Sequence, residues 1–207
     1  MSKKLNIDNP FFQSMNRLGD VILLNVMFVI CCFPVITIGT SCTALYRMLF
    51  RMRRRESIYA VRDFWTVFKE EWKQSTVLWA AIGLAGMILA VDLYITGRMQ
   101  GSLWTALGIG AGVLFLLWAM TASYVFAVEA RFTNTAANQI KNSFLMACRH
   151  IWITVPLVLI NAVLPVCLIV QVQLFGALIP LYLVAGFGLT GYLKVLLLER
   201  VFAGYEG

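Results

Sequence analysis

Side chains that could carry chemistry are sparse in this sequence, and they lack the spacings of catalytic or metal sites. His150 is the only histidine, so no histidine-based metal site can be assembled. No nucleophile–base pair, phosphate-binding glycine loop or paired intramembrane carboxylates occur either. We therefore expect no enzymatic activity, no metal and no cofactor. The cysteines fit no metal-ligand spacing and form no Cys-x-x-Cys pair: Cys31, Cys32, Cys42, Cys148 and Cys167.

A few polar side chains stand within or beside long apolar runs, where ionisable groups are costly and therefore candidates for function. Asp20 precedes the first run, where an acid at a helix start accepts backbone N–H groups. Asp92 is expected to pair with Arg98 at a membrane boundary. Asn25 and Asn161 fall inside apolar runs and are expected to form hydrogen bonds between helices.

Two further ionisable residues, Glu129 and Lys194, are predicted to lie at the inner boundary of their helices. Two interpretations remain open for them. They pair across helices, or the long side chain of Lys194 reaches the interface by itself.

A helix-breaking block interrupts the first apolar run at Pro34 and continues through Thr37, Gly39 and Thr40. Proline removes one helical hydrogen bond and crowds the preceding turn. The carbonyls that this frees need partners, so the block either packs against another helix or lines a polar cavity. We favour packing.

The composition identifies the class of protein. Hydrophobic residues make up 60 % of the chain and charged residues 13 %, whereas charged residues form about 25 % of an ordinary soluble domain. A soluble domain of this size cannot hide so much apolar surface. A soluble enzyme, a disordered chain and a disulfide-rich module are excluded, and an all-α integral membrane bundle in contact with the lipid bilayer remains.

Charge-free stretches cover residues 21–46, 74–91, 99–128 and 151–193. About 20 helical residues cross the hydrocarbon core. The last stretch would be about 65 Å long as one helix, so it must fold back, near Gln171. A single membrane domain over 1–207 is predicted, with five spans at 18–50, 76–97, 103–128, 151–170 and 174–198.

Basic residues concentrate between Arg47 and Lys73, beside a span. This position is a topology signal that places the segment in the cytoplasm, rather than a nucleic-acid site. Alternation then puts 129–150 and the C-terminus inside and 98–102 outside. Nucleic acid is not an expected partner.

The N-terminus conflicts with this pattern, because Lys3, Lys4 and Arg17 lie outside if the first span crosses once. In the alternative, two half-helices enter and return at Pro34, leaving the N-terminus inside. We favour a single crossing kinked at Pro34.

Two segments, 59–75 and 135–150, have apolar residues at helical spacing and are predicted to be amphipathic helices in the cytoplasmic interface. Packing on the inner end of the bundle is the favoured role, with docking of a partner or lipid sensing as alternatives. The docking candidates are aromatic: Phe64, Trp65, Phe68, Trp72 and Phe144.

Several short motifs follow one another along the chain. The most specific is Pro-Val-Ile-Thr-Ile-Gly at 34–39, followed by Ala-Leu-Tyr at 44–46. Supporting motifs lie at 9–12, 17–20, 63–65 and 130–135. In these motifs and their order the chain resembles the YesL-like family of bacterial membrane proteins.

The resemblance implies a bacterial cytoplasmic membrane protein without an established activity. Genes of that family often lie beside carbohydrate ABC importers, which implies an accessory or assembly role with permease subunits as partners. The rival hypothesis is a small solute transporter or channel whose pathway is lined by the 34–39 block. A scaffold acting through the amphipathic helices is a third.

Overall fold

The structure is a computed structural model that describes residues 10–205. These residues form α-helices joined by short turns and contain no strand, which confirms the all-α prediction. A 3-10 turn covers Val35–Thr37 and a π-helical turn covers Tyr182–Gly186. The helices are α1 (Pro10–Cys32), α2 (Ile38–Arg53), α3 (Ala60–Thr96), α4 (Ser102–Arg131), α5 (Ala136–Arg149), α6 (Ile151–Val170), α7 (Val172–Leu181) and α8 (Phe187–Phe202).

Five helical stretches in this part of the chain are long and apolar enough to cross a membrane. From α3 onward they agree in place with the predicted spans. The stretches are Met15–Cys32, Ala60–Thr96, Ser102–Arg131, Ile151–Val170 and Val172–Tyr205.

The first apolar run is not one helix but a hairpin of α1 and α2. Gly188 lies against Val21, and Gly191, one turn later in α8, lies against Leu49. A continuous helix would separate Val21 from Leu49 by about 42 Å. The two halves of the run therefore stand side by side, and the prediction of a single kinked crossing over 18–50 is wrong.

The reversal is produced at Pro34. Its backbone is extended, with φ −77° and ψ 118°, and the N–H of Thr37 donates to the Pro34 carbonyl at 3.0 Å to close the 3-10 turn. A kink requires helical geometry on both sides of the proline. Here the extended residue and the tight turn direct α2 back along α1.

The tip of the hairpin does not reach the far end of the bundle. Gly39 at the start of α2 lies against Trp79 of α3. From Trp79 to Thr96, the other end of α3, is about 25 Å. The turn that follows Phe33 thus stops about 20 Å short of that end. Phe33 itself is 92 % exposed, as suits a re-entrant tip surrounded by lipid.

The hairpin changes where the N-terminal charge lies. Arg17 of α1 and Arg55 after α2 line the same surface pocket, so both occupy the basic end of the bundle. The conflict between Arg17 and the positive-inside rule disappears. Lys3 and Lys4 lie outside the described residues.

The segment 59–75 is not a separate helix. It forms the first half of α3, a continuous helix of 37 residues. Neither Gly nor Pro occurs in α3 before Gly83, so no residue there favours the bend that a helix in the membrane plane would need. Phe64 and Val67 are buried, and this half of α3 packs on α2 beyond the apolar part of the bundle.

The second amphipathic helix is confirmed as α5, but not all of its apolar side chains are buried. Phe144 and Cys148 are exposed. Gln139 is buried because its Nε2 donates to the carbonyl of Phe132 at 2.5 Å, and the Ser143 hydroxyl donates to the Gln139 carbonyl at 2.7 Å. The buried face of α5 therefore carries polar side chains, and hydrophobicity alone would not choose it. The Oε1 of Gln139 is buried there without a hydrogen-bond partner among the described residues.

The fold-back near Gln171 is confirmed. α6 ends at Val170 and α7 begins at Val172, leaving Gln171 extended between them. From there α7 continues through the π-helical turn into α8 without a loop. The C-terminal part of the chain thereby returns to the basic end, where Glu199 bonds Arg53 at 3.0 Å.

Candidate functional site

The helix-break block is packed and its polar groups are satisfied locally. The Thr37 hydroxyl shares its proton between the carbonyls of Cys31 and Pro34, at 2.6 and 2.7 Å. A Cβ on Gly39 would lie 2.5 Å from the Ser75 carbonyl oxygen and 2.6 Å from the Trp79 Cβ. These contacts support helix packing as the role of the block.

Thr40, like Gly39, faces directly into the α2–α3 contact. It is fully buried, and its hydroxyl lies 3.5 Å from the Trp72 carbonyl oxygen. Its position adds to the close approach of these two helices that Gly39 permits.

Asn25 joins α1 to the π-helical turn of the last span. Its Nδ2 donates to the carbonyls of Leu183 at 2.8 Å and Tyr182 at 3.2 Å, and its Oδ1 accepts the Gly188 N–H at 2.8 Å. A π-helical turn disturbs the regular ladder of backbone bonds, and one buried amide bonds two of its carbonyls and the N–H of Gly188 just after it. The predicted interhelical role of Asn25 is confirmed.

Glu129 lies in a buried polar cluster on the α2 and α3 side of α4. Thr43 donates to its Oε2 at 2.7 Å, and Ser75 donates to the Thr43 hydroxyl at 3.1 Å. Its Oε1 is buried and has no hydrogen-bond partner among the described residues. The partner is therefore Thr43, and the suggested pair with Lys194 does not form.

Lys194 instead contacts Asn161. Its Nζ donates to Asn161 Oδ1 at 2.6 Å, and Asn161 Nδ2 donates to the Ser123 hydroxyl at 2.9 Å. The chain of bonds joins α8, α6 and α4. The interhelical role predicted for Asn161 is confirmed, with a cationic partner that the sequence did not indicate.

The Lys194 and Asn161 side chains line a lateral cavity of about 630 Å³ between the helices. Its size falls within the range of ligand-binding pockets. Trp118 forms one wall and is held there because its indole N–H donates to the Ile82 carbonyl at 2.8 Å. The other aromatic residues of the wall are Tyr46, Trp79, Phe115 and Phe126.

The two aspartates stand apart from this cavity. Asp20 is in the middle of α1, not at a helix start, since α1 begins at Pro10; the prediction of a helix-start acid is wrong. Within residues 10–205 no ion pair joins Asp92 to Arg98. The Arg98 guanidinium lies over the Tyr94 ring at 4.7 Å, so the predicted boundary pair does not form.

Four of the five docking candidates retain access to the surface. Phe64 is fully buried in the core, so it is not free to dock a partner. Trp65 is 44 % exposed, Trp72 is 46 % exposed, Phe144 is exposed and Phe68 is partly buried. Docking by these four stays a prediction.

Sequence reasoning missed the partners that complete these sites. Thr43 and Ser75 carried no signal, because small hydroxyl residues in a helix usually bond their own backbone. Tyr46 and Trp118 read as ordinary membrane aromatics. Only the spacing of Ser123 and Phe126 could have helped. They are three residues apart and therefore lie on one face of α4, which indicates that both can line the same cavity.

Residues 21–93 match the model of the family described as protein of unknown function, DUF624. The match covers α1 from Val21, the helix break, α2 and most of α3. This family includes the YesL-like proteins, so the resemblance is supported over that region. No curated protein and no solved structure matches the chain.

Proposed function

We propose that this chain is a non-enzymatic accessory or assembly subunit of a carbohydrate ABC importer in the bacterial cytoplasmic membrane. The family-model match over 21–93 and the motif resemblance support the class of protein. The association with sugar importers rests on the family resemblance. The partners are the permease subunits of such an importer.

The distribution of charge supports a cytoplasmic position for one end of the bundle. Arg17, Arg51 and Arg149 lie on it, as do the other described basic residues except Arg98 and Lys194. Cytoplasmic segments of membrane proteins are enriched in Lys and Arg. Because Tyr205 contacts His150 at this same end, the C-terminus is cytoplasmic in this proposal.

An exposed aromatic strip carries the proposal. It lies on the first half of α3, which extends beyond the apolar part of the bundle. Trp65 and Phe68 stack with ring centroids 5.4 Å apart and planes 1° from parallel. Lys69 lies 5.5 Å from the Trp65 ring centroid, and Trp72 continues the strip one turn later. Rigid, exposed aromatic rings beside a cation are typical anchors of protein interfaces.

The packing of the helix break favours this role over transport. Gly39 lies against α3 and α4 rather than beside open space. A pathway through the block would need polar groups left free to contact solute, whereas Thr37 is already bonded. The accessory role needs no such groups.

The test is affinity purification of the full chain from its native host. The tagged wild type is expected to retain permease subunits, and Trp65→Ala with Trp72→Ala is expected to lose them. Loss of two interface anchors costs about 2–4 kcal/mol or more in binding. Trp152→Ala is the matched control, because Trp152 is 90 % exposed but lies on α6.

Two results would contradict the proposal. One is a wild-type preparation without permease subunits. The other is equal recovery of these subunits with the double variant and the wild type. Insertion of each variant is checked first by its yield in the membrane fraction.

A further inference from the structure

The polar end of the lateral cavity holds a cation without a counter-charge. The Lys194 ammonium has three donors and uses one, toward Asn161. No carboxylate lies within 4 Å of it among the described side chains. An ammonium in apolar surroundings is costly unless paired, so this end of the cavity favours an anion.

A second donor lines the same end. Tyr46 is in the cavity wall, and its hydroxyl makes no hydrogen bond in the part of the chain that the structure describes. Asn161 and Ser123 are already engaged with each other. The ammonium and the phenol are therefore donors available at this end, beside the Cys42 thiol that lines the same wall. Together they are enough for a single small oxyanion.

The remainder of the cavity is apolar and long. Its wall on α4 runs from Gly112 to Ser123 at the polar end, about 16 Å along the helix axis. One leaflet of the hydrocarbon core is about 15 Å thick. Trp79, Phe115 and Pro165 line this part and offer no charge. A groove of this length and chemistry suits one extended alkyl chain.

From this juxtaposition we propose that the lateral cavity binds one long-chain fatty acid, with its carboxylate at Lys194 and its alkyl chain along α4. A diacyl phospholipid fits less well. Ser123 lies about 12 Å from Arg131 at the basic end of α4, deeper than a glycerophosphate headgroup sits. A sugar would need many more hydrogen-bond partners than the cavity provides. The inference is independent of the proposed importer role.

The charge of Lys194 discriminates the fatty acid from uncharged amphiphiles. The full chain in nonionic detergent is titrated with 9,10-dibromostearate, which quenches nearby tryptophans, here Trp79 and Trp118. Saturable quenching is expected. Stearate should reverse it, whereas stearyl alcohol and dioleoylphosphatidylglycerol should not.

Variants separate a built site from simple partition into the micelle. Lys194→Gln should weaken stearate binding about 10- to 100-fold, the range of a hydrogen bond to a charged group. Lys194→Arg keeps the charge and should retain most of the affinity. Lys141→Gln, on α5 outside the cavity, should equal the wild type.

Non-saturable quenching would overturn the proposal, as would equal quenching by the dibromostearate methyl ester. Displacement by phosphatidylglycerol rather than stearate would show a phospholipid site instead. If Lys194→Gln does not fold, two measurements still test the proposal. They are the competition by stearate, stearyl alcohol and dioleoylphosphatidylglycerol on the wild-type protein, and the affinity of Lys194→Arg for stearate.

Discussion

The Oδ1 of Asn25 accepts the backbone N–H of Gly188 at 2.8 Å, although the two residues are 163 positions apart. The same side chain donates to the carbonyl of Leu183 within the π-helical turn. The re-entrant hairpin and the last span are thereby fixed to each other at one buried amide. The absence of a side chain at Gly188 permits this approach, since a Cβ there would lie 2.8 Å from the Val21 carbonyl oxygen.

Asn25→Leu is expected to destabilise the protein. It leaves the Gly188 N–H and two carbonyls without partners, at about 1–3 kcal/mol. Interhelical bonds in membranes are worth about 0.6–2 kcal/mol each. Thermal unfolding of the purified protein in detergent tests the prediction, and the variant should have a lower unfolding midpoint than the wild type. Asn138→Ala, on the exposed face of α5, is the control. An unchanged midpoint for Asn25→Leu would show that the turn holds without the amide.

Gly39→Ala is expected to be more harmful than Pro34→Ala. The added Cβ meets the backbone oxygen of Ser75 and the Trp79 Cβ, and overpacking of this kind costs about 1–3 kcal/mol. Pro34 is exposed at the tip, so its replacement should be mild. Unfolding midpoints of the purified variants test the order.

Gly83→Ala is the matched control for Gly39. Nothing lies within 4 Å of a Cβ at Gly83, and Ala favours a helix over Gly by about 1 kcal/mol. It should therefore be neutral or stabilising. A Gly39→Ala protein as stable as Gly83→Ala would contradict the close packing of α2 on α3.

Cysteine labelling distinguishes a hairpin from a single crossing. In a variant without native cysteines, Asn16→Cys and Ser57→Cys should react with an impermeant reagent from the same side of the membrane. Gln100→Cys should react from the opposite side. Labelling of Asn16→Cys and Gln100→Cys from the same side of the membrane would contradict the hairpin and support a single kinked span.

Arg47→Ala should destabilise more than Arg53→Ala. The Arg47 guanidinium bonds Glu71 at 2.6 Å and the Ala130 carbonyl at 3.3 Å, so it joins three helices. Arg53 is more exposed and pairs with Glu199 at 3.0 Å, and exposed ion pairs contribute about 0–1 kcal/mol. Urea or SDS unfolding of the two variants gives the comparison. Equal losses would show that Arg47 acts as an ordinary surface charge.

Much of the fold could be predicted because it depends on local composition. The lengths of the apolar runs determined α4, α6 and the apolar half of α3, and Gln171 marked the fold-back. The amide groups of Asn25 and Asn161 signalled bonds between helices, since lipid offers no partner. The distribution of basic residues indicated which ends of the spans lie together.

The partners of the site residues could not be predicted. Glu129 and Lys194 have opposite charges, yet they face different neighbours, because the rotation of α4 and α8 points Glu129 at Thr43 and Lys194 at Asn161. Rotation about a helix axis is determined by packing against several helices at once. No single segment of the sequence contains that information.

The hairpin shows the same division between sequence and tertiary structure. The sequence by itself determined that the helix breaks at Pro34, because proline lacks the N–H that a helix needs. Whether the chain then crosses or returns depends on the contacts of α2, through Gly39 with α3 and through Leu49 with Gly191. Those contacts are long-range, and their summed packing selects the return over a crossing that the local sequence permits equally well.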